Sequence, residues 1–163
     1  MLPVVVLLVL LFIQPAAAWD GDLPDPRLTP GAAFAVTAGQ LCQPGYARSV
    51  RHVTAAVKER VFASYGLAGN HTGYCGGRQG CEIDHLISLE LGGTNDARNL
   101  WPESYDSQPW NAHLKDHLEN TLHRLVCSGR IGLGEAQRMI ATDWVAAYRK
   151  YVGEPVAGNF GVK

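Results

Sequence analysis

The sequence predicts a small α+β domain, with two short strands and a helix at its centre, additional helices flanking them, and disulfides stapling the whole. Three observations carry that prediction. The stretch from Cys81 to Glu103, CEIDHLISLELGGTNDARNLWPE, sets two short runs of branched and apolar residues on either side of a Gly-Gly turn. Helical periodicities precede and follow it. Four cysteines, an even number, occur in a chain that opens with an export-type leader.

The 163 residues, 47% hydrophobic and 18% charged, have the composition of an ordinary globular chain of one-domain size. Val4 to Ile13 form an uninterrupted apolar run, followed by Gln14-Pro15 and then Ala16-Ala17-Ala18, small residues of the kind signal peptidase reads. Residues 1–18 are therefore expected to be a signal peptide, although the leader lacks the usual Lys or Arg. The run is shorter than the roughly 20 residues a spanning helix needs. The expected product is secreted or extracytoplasmic, monomeric, and free of the membrane after cleavage.

Residues 19–40, with the run DGDLPDPRLTPG, are expected to be an extended, unpacked N-terminal segment. The domain proper is placed at 41–152. Within it, 54–65 reads as a short amphipathic helix, with Val57, Val61 and Tyr65 at spacing four and Gly66 as its stop. The Gly-rich residues 67–80 read as a loop. Residues 82–87 form the first expected strand, Gly92-Gly93 and Asn95-Asp96 a turn, and 99–101 the returning strand, with 102–109 as connector. Residues 110–126 read as a helix whose stripe runs through Trp110, Leu114, Leu118, Leu122 and Leu125, and 135–151 as a second amphipathic helix. Residues 153–163 read as a flexible tail.

Cys75 and Cys81 bracket the loop GGRQG, short and flexible enough to close on itself, which pairs them and leaves Cys42 to pair with Cys127. A zinc site is the competing reading, but no Cys-x-x-Cys pair is present and export favours oxidation. A net charge of −1 argues against coating nucleic acid by bulk attraction. The local exception is the basic segment containing Arg48, Arg51, Lys58 and Arg60.

The chemistry centres on Asp84 and His85, a carboxylate beside a base that acts near neutral pH. A regular strand would point them to opposite faces, so both reach one site only where the strand bends or ends. The turn from Ser88 to Gly93 supplies that ending, and a carbonyl from the nearby Gly-rich loop is expected to fix the tautomer of His85. On the following helix, His113, His117 and His123 fall away from the centre of the apolar stripe, while Asn111 falls inside it. An Asn in a first turn either caps the helix or offers its amide oxygen to a cation. The second reading is adopted, with His113 as substitute: Asp84 and Asn111 are the expected ligands of a hard cation, and His85 stays off the metal and takes a proton from water. Glu90 is a candidate partner for a metal-bound water.

These residues resemble the ββα-metal, or HNH, endonucleases, and in particular small secreted bacterial HNH proteins with Asp-His-Leu-Ile, then Glu-Leu-Gly-Gly, then Asn-Leu-Trp-Pro-Glu. The likeness extends through Asn111, Lys115-Asp116, Leu118-Glu119, Val126-Cys127, Gly129 and Ala136-Gln137 to Asp143-Trp144, and back to Cys42 and Arg51. It implies Asp84 and Asn111 as metal ligands, His85 as general base, and Asn99 as the brace of the loop between the strands. Arg51 matches a recurrent Arg that could contact a backbone phosphate. Two departures stand out: Ser88 occupies a position often held by Pro, and the helix motif His-x-x-Lys is replaced by Asn111 with Lys115 four residues on.

The resemblance implies hydrolysis of phosphodiester bonds in a nucleic acid, DNA ahead of RNA. The expected cofactor is a divalent metal, Mg²⁺ ahead of Mn²⁺, Ca²⁺, Zn²⁺ or Ni²⁺. From a different functional class, the alternative is a non-catalytic exported module that keeps the fold to bind nucleic acid or a protein; a zinc-stabilised structural domain is a third reading.

Overall fold

A computed structural model describes residues 23–67, 75 and 80–155. The expected signal peptide, most of the Gly-rich loop and residues 156–163 of the tail lie outside the described residues.

Among the described residues, five α-helices and a two-stranded sheet follow in the order α1 (Ala38–Leu41), α2 (Tyr46–Val50), α3 (Ala55–Ser64), β1 (Cys81–His85), β2 (Leu100–Ser104), α4 (Ala112–Cys127) and α5 (Leu133–Tyr151). The strands are antiparallel, with Cys81 opposite Ser104, Ile83 opposite Pro102 and His85 opposite Leu100. The returning strand therefore runs past the expected 99–101 and through Pro102. A two-stranded ladder has an open edge on each strand, where the missing N–H of a proline is tolerated.

The pleat sorts the sheet into two faces. Ile83 and Leu100 join Val61 in a small core, with Val57, Phe62 and Tyr65 of the α3 region packed against it. Glu82, Asp84, Trp101 and Glu103 share the opposite face, turned toward α4. That helix is fixed from the other side by its apolar stripe: Leu114, Leu118, Leu122 and Val126 are buried against Ala136, Ile140, Trp144 and Tyr148 of α5. Each fully buried leucine contributes about 2 kcal/mol. Trp110, just before α4, packs edge-on against Trp144 and Tyr148 at 5.7 and 5.6 Å. Within α5, Asp143 leaves helical geometry and its carboxylate accepts from the Ala146 N–H at 2.9 Å, so it caps the second half of the helix.

Both expected disulfides form. Cys42–Cys127 joins the end of α1 to the end of α4, and Cys75–Cys81 ties the preceding loop to the start of β1, with Cα–Cα distances of 5.7 and 4.9 Å.

The N-terminal segment departs from expectation. From residue 23 it is packed on the domain: Thr29 is buried and donates to the Leu100 carbonyl at 2.8 Å. The Gly31 N–H donates to Arg98 O, Phe34 N–H to Gly92 O, and Thr94 N–H to Ala32 O. The prolines and aspartates of this run set turns, and the backbone between them finds partners in the loop joining the strands.

Candidate functional site

β1 ends at His85, and that ending brings two side chains from opposite faces to one place. Asp84, His85, Arg51, Ser88, Leu89, Glu90, Asp116, Glu119 and Asn120 line a cleft of about 130 Å³. Asp84 approaches it from the α4 side of the sheet and His85 from the loop side.

The loop between the strands is held by Asn99, whose side chain is fully buried. Its Oδ1 accepts from the Ile87 N–H at 3.0 Å and the Ala32 N–H at 3.3 Å. Its Nδ2 donates to the carbonyls of Ile87 and Thr94, each at 2.9 Å. Gly93 makes this closure possible: a Cβ there would lie 1.7 Å from the Ile87 carbonyl oxygen and 2.8 Å from Asn99 Nδ2. No side chain fits that space.

The α4 side of the cleft is built around an ammonium. Lys115 is wholly buried, and its Nζ donates to Asp84 Oδ2 at 2.5 Å, to the His85 carbonyl at 2.7 Å and to Glu119 Oε1. Glu103 Oε2 lies 3.8 Å away. Both Glu103 oxygens are buried without a hydrogen-bond partner among the described residues. Three carboxylates thus surround one ammonium. Burial would lower the Lys115 pKa, but Asp84, Glu119 and Glu103 together hold it well above the ordinary lysine value. Burial pushes the Asp84 carboxyl up, and the Lys115 charge and hydrogen bond outweigh it and hold that group below the usual range. Glu119 is pushed up to about 8 by burial, against the pull of Lys115, and Glu103 is raised by burial and by its acidic neighbours. Glu82 and Asp116 are also raised, by burial first and then by the charge of Asp84. Fully ionised, these carboxylates would outnumber the one internal cation, and the upward shifts of Glu119 and Glu103 relieve that excess by favouring their protonated forms.

His85 is 3% exposed, and its Nε2 lies 3.1 Å from Asn95 Oδ1. Burial lowers its pKa below 6.5, with Asp84 and the Asn95 hydrogen bond opposing the shift, so the ring is held neutral. The ring's partner among the described residues is a side-chain amide oxygen in the turn between the strands; the Gly-rich loop expected to supply a carbonyl lies mostly outside the described residues.

Asn111 stands elsewhere. It is the N-cap of α4: Oδ1 accepts from the Leu114 N–H at 3.3 Å and Nδ2 donates to the Ser107 carbonyl at 3.2 Å. Both ends of its amide are used in starting the helix, and it does not line the cleft. His113, the substitute, is exposed and packs on Tyr105 with ring centroids 5.3 Å apart. The helix residues that reach the cleft are Asp116, Glu119 and Asn120, one to two turns further on. Glu90 lines the cleft, and its Oε2 lies 4.0 Å from His123 Nδ1.

Lys115, Glu119, Glu103 and Asn95 had no functional role in the sequence reading. One signal was available for Lys115. Extending the stripe of α4 to Val126 places Lys115 between Leu122 and Val126, about 20° from each, so a lysine lies within an apolar face.

Ligand atoms of Cys42, His123 and Cys127 lie within 4.8 Å of one another, a group that could hold a metal. The two sulfurs are bonded to each other in the disulfide, and a thiolate ligand there requires its reduction. Compared with known proteins, the chain matches no family model, no curated protein and no solved structure.

Proposed function

We propose that the chain is an exported, metal-dependent endonuclease of the ββα-metal (HNH) type that hydrolyses phosphodiester bonds, with DNA as the favoured substrate. The observation that carries this reading is the acidic cluster opening onto a cleft that also holds a neutral imidazole and an arginine. One buried and two largely buried carboxyls surround a single ammonium, and the raised Glu119 and Glu103 would give up their protons to a divalent cation, for which the donors are hard oxygens. Asp84 and Glu119 each give one oxygen to Lys115 and keep the other for a cation, and Mg²⁺ is commonly held by one or two carboxylates and several waters. The cleft has room for such a hydrated ion. Glu119 thus takes the place first given to Asn111.

A divalent ion held by Asp84 and Glu119 would supply Lewis-acid stabilisation of the charge that develops on the phosphate and the leaving oxygen. The chain's own groups do the rest. His85, held neutral by burial, accepts a proton from the attacking water. Arg51, at the rim of the cleft, meets a backbone phosphate. Lys115 orients Asp84 and the His85 carbonyl, and Asn99 keeps the loop closed around them. The disulfides suit export, and no helix among the described residues is long and apolar enough to cross a membrane.

The test is nicking of supercoiled plasmid in Mg²⁺, with and without EDTA, by wild type, His85→Ala and Glu119→Gln. EDTA and both substitutions are expected to abolish nicking. Equal nicking by wild type and His85→Ala refutes the reading. The Lys115 ammonium, already shared between two carboxylates, favours a second reading in which the chain is a non-catalytic binding module. Calorimetry separates the two: that module binds no Mg²⁺, whereas the enzyme binds it and loses it in Glu119→Gln.

A further inference from the structure

The orientation of His85 is set from outside its own strand. Asn95, in the turn between β1 and β2, presents its amide oxygen to the ring at 3.1 Å from Nε2. A carboxamide can be turned end for end, but here both ends are fixed by groups whose hydrogen-bonding sense cannot reverse. Asn95 Nδ2 donates to the Val50 carbonyl at 2.7 Å, and Asn95 Oδ1 accepts from the His52 N–H at 3.2 Å. A backbone carbonyl only accepts, and a backbone N–H only donates. The oxygen therefore faces the imidazole, and it can only accept from it. Nε2 must carry the hydrogen, and in a neutral ring Nδ1 is then the bare nitrogen.

We propose that Asn95 is a positioning residue that selects the Nε2–H tautomer of His85, leaves Nδ1 as its basic nitrogen, and anchors the ring to the chain leaving α2. The last clause follows from the partners: Val50 ends α2 and His52 follows Arg51, so a single side chain sets the ring and braces the backbone on both sides of the arginine at the cleft. A residue that only packed the loop would not need both ends of its amide aligned to that segment. The consequence for catalysis rests on the reading of His85 as general base, but the tautomer itself does not.

The test uses two readouts. In protein labelled with ¹⁵N-histidine, long-range proton–nitrogen correlation at neutral to mildly alkaline pH distinguishes pyrrole-type from pyridine-type ring nitrogens, with His85→Ala identifying the His85 signals. Wild type is expected to show a pyrrole-type Nε2 and a pyridine-type Nδ1. Asn95→Leu, which removes the acceptor at similar size, is expected to mix the two forms. In the plasmid assay, Asn95→Leu should lower kcat by about 10- to 100-fold, within the contribution of a correctly presented base, with KM little changed. A wild-type His85 protonated on Nδ1 overturns the proposal, and so does an Asn95→Leu spectrum identical to wild type. The wild-type spectrum needs no variant to fold. The expected spectrum in a protein that nicks no DNA refutes the nuclease reading and leaves the tautomer assignment standing.

Discussion

Replacing Lys115 with Met keeps the length and flexibility of the side chain but deletes the ammonium at the centre of the acidic cluster. Three interactions end at once: those to Asp84 at 2.5 Å, to the His85 carbonyl at 2.7 Å and to Glu119. Glu103, 3.8 Å away, also loses the positive charge nearest its buried oxygens. Removing one member of a buried charge cluster leaves the others uncompensated, which costs about 3 to 5 kcal/mol. The sign of the pH dependence follows from Asp84, which Lys115 holds below the ordinary 3.8 against the upward push of burial. A carboxyl with a depressed folded pKa contributes stability above its unfolded value and loses it as pH falls through the folded one. Without the ammonium, burial raises that carboxyl instead, so the deficit of Lys115→Met should be smallest in acid, where both proteins hold the proton, and grow toward neutral pH. Urea unfolding with the slope held common to both proteins reads it directly. A loss below about 1 kcal/mol, the size of a surface ion pair, refutes the reasoning, as does a loss that grows on acidification.

Gly93→Ala should cost about 3 kcal/mol or more, because its methyl would overlap the Ile87 carbonyl and crowd Asn99; thermal unfolding tests this, and a near-neutral change refutes the close approach. The acid limb of the nicking rate, or the NMR titration of His85, should lie below the ordinary value of 6.5, because burial disfavours the imidazolium. The same group makes the fold less stable as pH falls below 6.5 toward the folded pKa, since the unfolded ring takes up a proton that the folded one resists. Opening Cys42–Cys127, which closes a separation of 85 residues, should cost about 4 kcal/mol by paired Cys→Ala substitution, measured in denaturant. Ellman's assay on the unreduced, denatured protein should find no thiol.

The sequence carried the two strands, the turn and the long helices, because each is written in a local period: alternating branched residues, the Gly-Gly pair, and leucines four apart. Asp84, His85 and Asn99 were legible for the same reason, being fixed by position in a short contiguous motif. The helix side of the site was not. Asn111 was read as a ligand because a polar residue on a buried stripe needs a partner, and it has partners, but they are the backbone of its own first turn and of Ser107. Local capping competes with long-range ligation at every Asn that begins a helix, and spacing alone does not separate them. Glu119 and Glu103 became meaningful only once the sheet face was laid against α4, a relation that no single-segment period encodes. β2 runs past the expected 99–101 and through Pro102, because the rule against proline in a strand weakens where one edge of the ladder is open.

The domain depends on backbone partners supplied by the N-terminal segment. Residues 31–34 hydrogen-bond Gly92, Thr94 and Arg98, and Thr29 seals the start of β2, so the turn that presents Asn95 to His85 is completed by residues more than fifty positions upstream in sequence. A polypeptide trimmed to residue 41 would keep every residue of the cleft and both disulfides, yet leave those backbone groups of the turn without partners. Truncation that stops before Thr29 would keep these contacts, and truncation past Phe34 would remove them. The stretch before the first cysteine thus acts as a strap on the domain.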